Sequence, residues 1–174
     1  MPAEEILSHW LPDLMFSGML WAQPHPGEPM SPKMKSCFQP RALPNLPSAA
    51  LLFLRLVMGI AFLYHGWGKI QNPMEWMPPE AGVPGVLQLL AAVSEFGGGL
   101  ALILGLFTTL AMSGMAITML VATYMHAIVR QDPFVNMSGG AGYELALLYL
   151  ALALVFITVG PGKFSADSKI FGQK

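Results

Sequence analysis

Between Ser48 and Gly160 the sequence carries four apolar runs of about 20 residues, at roughly 49–68, 84–104, 107–128 and 142–160. At 1.5 Å per residue, a run of that length is enough to cross about 30 Å of hydrocarbon. Backbone polar groups in lipid must be satisfied within the segment, so spans this long read as helices; membrane strands would be half the length and would alternate. The rest of the composition agrees. Hydrophobic residues make up 54% of the 174 positions and charged residues only 11%, against roughly a quarter charged in soluble domains. Nineteen charged side chains, 9 basic and 10 acidic, cannot clothe a water-soluble globule of this size, and lipid can take the place of that exterior. The fold class expected is all-α, an integral membrane four-helix antiparallel bundle.

Local signals set the boundaries. Gln71, Asn72 and Pro73 break the first run, and Val83-Pro84-Gly85 opens the second with a proline at a position where no donor is needed. Gly105-Leu106-Phe107 forces a tight hairpin between the second and third runs, and Gly160-Pro161-Gly162 stops the fourth. The expected organisation is an N-terminal extension over 1–47, a four-helix domain over 48–164 and a cytoplasmic tail over 165–174. The extension is rich in proline and holds no full span. Ile6, Leu7, Trp10, Leu11, Leu14 and Met15 follow helical spacing, which fits a short interfacial helix. Equally, it reads as a flexible extension or an upstream start, with Met30 or Met34 as the natural beginning. The opening Met-Pro-Ala-Glu-Glu is acidic where a secretory signal is basic.

Six basic residues flank the outer ends of the first and fourth runs (Lys33, Lys35, Arg41, Lys163, Lys169, Lys174), against Lys69 and Arg130 on the opposite face. Their excess places both termini in the cytoplasm. A formal net charge of −1 without basic clusters argues against nucleic-acid binding. Cys37 is the single cysteine, so an internal disulfide, a CxxC redox pair and a thiolate metal cage are all excluded.

Two charges fall well inside the runs. Glu95 lies near the middle of the second, and Arg55 lies about 9 Å from the cytoplasmic end of the first. A charge at the bilayer centre costs about 2.5 kcal/mol or more on insertion scales, so an Arg55–Glu95 ion pair is expected inside the bundle. Gly97, Gly98 and Gly99 follow Glu95 and, with Gly59 and Gly66, form glycine faces that admit a neighbouring helix or a flat ligand. Gln88, seven residues before Glu95, adds a polar group one layer outward. A second cluster, His65, Lys69, His126, Arg130 and Glu144, falls at one depth near the opposite face. Lys69 and Arg130 read there as side chains snorkelling toward water. His65, His126 and Glu144 are of a type to serve as proton acceptors, ligand anchors or metal ligands, although the helix dipole alone would favour a carboxylate at Glu144. Met112, Met115, Met119 and Met125 spread around the third helix as packing, not as a copper path, while Gly114, Thr118 and Ala122 form a seam of small residues. No metal site is expected.

The ordered set Arg55-Leu-Val-Met-Gly59, His65-Gly66, Lys69, Glu95-Phe-Gly97-Gly98, Leu104-Gly105-Leu106-Phe107-Thr108, His126, Glu144, Leu147-Leu148-Tyr149 and Gly160-Pro161-Gly162 resembles DoxX-type membrane proteins over about residues 48–164. The resemblance implies a four-helix protein of the bacterial inner membrane, related to the DoxD small subunits of thiosulfate:quinone oxidoreductase. It also implies a role in oxidative or thiol stress as a redox-associated subunit, with a soluble or membrane redox protein as partner. At most the chain is then the membrane subunit of a quinone-linked oxidoreductase, since no soluble DoxA-like domain is fused to it. On that reading Arg55, His65, Lys69, Glu95, His126 and Glu144 form a ligand and proton site, and the cofactor suggested is a quinone. Two alternatives use the same residues: a small carrier for protons or solutes, or an assembly protein without redox chemistry, and a haem held by His65 and His126. Substrate, electron donor and oligomeric state have no signature in the sequence.

Overall fold

In a computed structural model, residues 32–174 are described, and the expected interfacial helix near Ile6–Met15 lies outside them. The order is α1 (Pro32–Phe38), α2 (Asn45–Gln71), a 3-10 turn (Pro79–Ala81), α3 (Gly85–Leu104), α4 (Thr108–Tyr124, continued as a π-helical turn over Met125–Val129), α5 (Glu144–Val159) and α6 (Ala166–Phe171). Four apolar helices, α2 to α5, build an all-α bundle, with no strand among the described residues.

Three of them are long and apolar enough to cross a membrane, whereas α5 has 16 residues, about 24 Å, and falls short of the expected span over 142–160. Its entry is irregular backbone. Asn136, Gly140, Ala141 and Gly142 of that segment line a cavity.

The buried core is small: Leu51, Met58, Phe62, Leu102, Met112, Met115, Met119, Ala153 and Phe156 pack in one cluster. Most other apolar side chains point outward, among them Phe53, Leu90, Ile117, Leu120 and Leu154. A chain apolar on its outside as well as in its core is built for lipid.

Glycine sets the spacing between α2 and α3. A Cβ at Gly59 would come 2.9 Å from the Gly99 carbonyl, one at Gly99 would meet the Gly59 carbonyl at 2.9 Å, and one at Gly66 would meet the Phe96 nitrogen at 2.6 Å. Gly98 faces the other way, toward Met115 on α4. Gly97 does not join the packing as expected: a Cβ there would touch only Val93 of its own helix.

Met112, Met115 and Met119 do not spread around the third helix; they are all buried on a single core-facing stripe. Three residues then four is the helical spacing of one face. The small-residue seam is partial. Gly114 abuts Ser94 of α3, but Thr118 bonds back to the Gly114 carbonyl.

The expected Arg55–Glu95 pair does not form, and the glycine register explains why. With Gly59 against Gly99 on antiparallel helices, position 55 lies opposite the C-terminal end of α3, far from Glu95. There Arg55 Nε and Nη2 donate to the carbonyls of Leu102 and Ile103 at 2.8 Å each, and Nη1 donates to Phe164 at 2.8 Å and Pro161 at 3.2 Å. The last carbonyls of a helix have no partner within it and carry its negative dipole end, so a cation there is doubly favoured.

Asp167 completes this knot from the chain after α5. Its carboxylate accepts from the backbone N–H of Phe107 at 2.7 Å and of Thr108 at 2.9 Å, at the start of α4. One hairpin thus has a cation at its outgoing helix end and an anion at its incoming one. The last residues are tied in as well, by backbone hydrogen bonds from Ala42 to Lys174 and from Lys174 to Pro40.

Candidate functional site

At the other end of the bundle, α2 to α5 and the 131–143 loop line an open cavity of about 440 Å3, in which His65 and Glu144 are exposed. Five of the six residues expected at a ligand site line it: His65 and Lys69 from α2, Glu95 from α3, His126 from the π-helical turn, and Glu144 from the start of α5. Arg55 does not; it belongs to the knot. Phe62, Met119 and Tyr149 give the cavity an apolar and aromatic floor.

Lys69 does not snorkel. Gly66 already lies against Phe96, the neighbour of Glu95, so Lys69 one turn further on reaches the carboxylate by folding its stem inward. Its Nζ stands 2.6 Å from both Glu95 oxygens and 4.6 Å from the centre of the Trp76 ring. Glu95 is almost fully buried and Lys69 partly so. The pair is therefore charge-neutral at the cavity wall.

Gln88, expected as a second polar layer of the site, instead clamps the loop that joins α2 to α3. Its Oε1 accepts from the Met77 N–H, its Nε2 donates to the Val83 carbonyl, and its own carbonyl accepts from Trp76 Nε1. By holding Trp76, it positions the ring that covers Lys69.

His126 is paired too, with a residue the sequence did not single out. Its Nδ1 lies 2.7 Å from Asp132 Oδ2, and Arg130 Nε stands 3.4 Å from the same oxygen. The π-helical turn ends at Arg130, Gln131 takes a left-handed φ of 56°, and the Asp132 N–H returns to the His126 carbonyl at 2.9 Å. π-turns recur at functional sites because they redirect side chains that a regular helix would leave apart.

His65 and Glu144 differ from these. Among the described residues neither side chain makes a hydrogen bond or ion pair; His65 has only ring contacts with Phe62 and Tyr149, at 6.2 and 6.3 Å. The site thus combines two side-chain pairs, Lys69–Glu95 and His126–Asp132, with His65, Glu144 and the Tyr149 hydroxyl, which make no hydrogen bond among the described residues. No three His, Cys, Asp or Glu side chains converge as a metal site among the described residues. Asn136 shapes the covering loop by bonding the Ala141 carbonyl and the Ser138 N–H and hydroxyl.

Such a fold and site define a small integral membrane protein with an open cavity of mixed polar and apolar lining at one end of its bundle. The DoxX family profile matches residues 50–127. An uncharacterized protein of Haemophilus influenzae is 35% identical over 123 residues, covering 70% of this chain and 90% of that protein. The inner membrane protein YqjF of Escherichia coli is 33% identical over 133 residues, covering 71% of this chain and 93% of its own length. No solved structure matches. The chain belongs to the DoxX family, and its relatives and apolar helices make it a bacterial inner membrane protein.

Proposed function

We propose that the cavity binds a small planar ligand of the quinone type, and that the protein serves a quinone-linked oxidoreductase system as its membrane subunit. One observation carries this reading: His65, His126 and Glu144 stand around one cavity whose floor is Phe62 and Tyr149. A quinone needs an apolar or aromatic bed for its ring, hydrogen-bonding groups at its oxygens and a proton route when its redox state changes. Histidine and carboxylate supply the second and third. Electrons would come from a soluble or membrane redox partner, because the chain itself contributes one cysteine and no dithiol. With the termini in the cytoplasm, as the basic flanks favour, the cavity faces the outer side of the membrane.

The same charges could instead serve a carrier. Against that reading, the fully buried Met58, Phe62, Met112, Met115 and Phe156 form an apolar layer between the cavity and the Arg55 knot. Among the described residues these side chains offer a proton or polar solute no polar step.

The test is to purify the protein in mild detergent, extract it with organic solvent, identify lipid-soluble redox compounds and titrate the stripped protein with a short-chain quinone. A bound quinone or saturable binding, weakened at least tenfold by a combined His65→Ala and Glu144→Ala change, is the expected result. Neither a co-purified quinone nor binding of the added one would remove the proposal.

A further inference from the structure

Asp132 lies in the 131–143 loop, outside the helices of the bundle. The chain nevertheless uses a π-helical turn, a left-handed Gln131 and a backbone hydrogen bond to bring it back onto His126. A carboxylate held 2.7 Å from Nδ1 accepts a hydrogen bond from that nitrogen, and the choice of tautomer follows from this contact. Arg130 Nε stands 3.4 Å from the same oxygen. We propose that Asp132 is a positioning residue: it holds His126 as the Nδ1–H tautomer and leaves Nε2 as the acceptor offered to the cavity, so that the site takes its ligand through a hydroxyl, as a dihydroxyaromatic quinol, in preference to the quinone.

The other groups at the cavity point the same way. Glu144 has an unengaged carboxylate, which only accepts when ionised, and Lys69 spends its ammonium on both oxygens of Glu95 and the Trp76 face. His65 and the Tyr149 hydroxyl can do either. The groups limited to accepting, Glu144 and His126 Nε2, therefore have no counterpart limited to donating, and a quinol brings two O–H donors where a quinone brings none. The inference rests on the quinone-type reading of the cavity, and its two halves are measured separately.

Full-length protein labelled with 15N-histidine in detergent gives the ring nitrogen shifts of each imidazole, and the His126 signal is assigned by its loss in His126→Gln. Above its titration, His126 should show a protonated Nδ1 and a bare Nε2, against the opposite preference of a solvated histidine. Asp132→Asn should abolish that pattern, while Asp132→Glu should largely keep it. A wild-type His126 with Nε2 protonated, or a pattern indifferent to Asp132→Asn in folded protein, overturns the positioning role. Anaerobic titration with a short-chain quinol and its quinone should then favour the quinol by about tenfold, and Asp132→Asn should erase the difference. Equal or tighter binding of the quinone overturns the ligand preference. If neither form binds while the tautomer is as expected, the quinone-type reading falls, the ligand half of the inference falls with it, and the role of Asp132 stands.

Discussion

Lys69 Nζ lies 2.6 Å from both carboxylate oxygens of Glu95, inside a bundle whose outer surface is apolar. Each charge alone would be expensive there, and together they form a neutral wall. Removing one partner leaves the other uncompensated, at a cost of about 3–5 kcal/mol for a buried pair. Lys69→Met alone should therefore lower the unfolding temperature in detergent markedly, with Glu95 left behind. The double change Lys69→Met with Glu95→Leu should recover most of the loss, and a double-mutant cycle by thermal unfolding measures the coupling.

Arg55 offers a separate prediction. Its fork serves four carbonyls from two chain segments, a geometry that the point charge of lysine cannot reproduce. Arg55→Lys should cost on the order of 2 kcal/mol or more, through buried carbonyls left without donors. Ligand binding by the folded fraction should be unchanged, since Arg55 is not part of the cavity. Stability from thermal unfolding and affinity from titration are read on one preparation.

Gly105 closes the hairpin beneath that fork. Its φ is +65°, and a Cβ would lie 2.6 Å from the Arg55 guanidinium carbon. Left-handed backbone costs a non-glycine residue roughly 1–2 kcal/mol before any clash. Gly105→Ala should thus destabilise by at least that much in thermal unfolding. Asp167→Ala should cost about 1 kcal/mol, the usual loss when a helix start gives up its capping acceptor.

The glycine triplet can be dissected by single methyl groups. Gly97→Ala meets only Val93 at 3.8 Å and should be neutral or slightly stabilising, since alanine is favoured over glycine in a helix by about 1 kcal/mol. Gly99→Ala pushes against the Gly59 backbone and should destabilise despite the same helical gain. Parallel unfolding curves of the two variants check the contrast.

How far the residues themselves foretold this structure depends on what kind of contact is involved. The helices were legible because apolar length is a property of the segment alone. Five of the six expected site residues share one cavity, because antiparallel hairpins bring alternate span ends to one level. The partner of Glu95 was misread because depth along a helix was counted without the register that Gly59 and Gly99 impose. Asp132 and Asp167 were missed for a different reason. Their targets are a histidine reached through a π-turn and two backbone N–H groups 59 and 60 residues away, and no side-chain pattern marks either. An aspartate just beyond a helix end, as in Arg130-Gln131-Asp132-Pro133, is the one hint that a turn folds back there.

The central claim is that the cavity between the helices, and no lipid-facing groove, receives the ligand. Photoaffinity labelling with an azidoquinone, followed by mass spectrometry of the cleaved protein, tests it most directly. Label is expected in peptides carrying His65, His126 or the 136–149 segment, competed by excess unlabelled quinone. Label confined to the outer groove of Ile60, Tyr64, Trp67 and Phe96, or label that competitor does not displace, would contradict it.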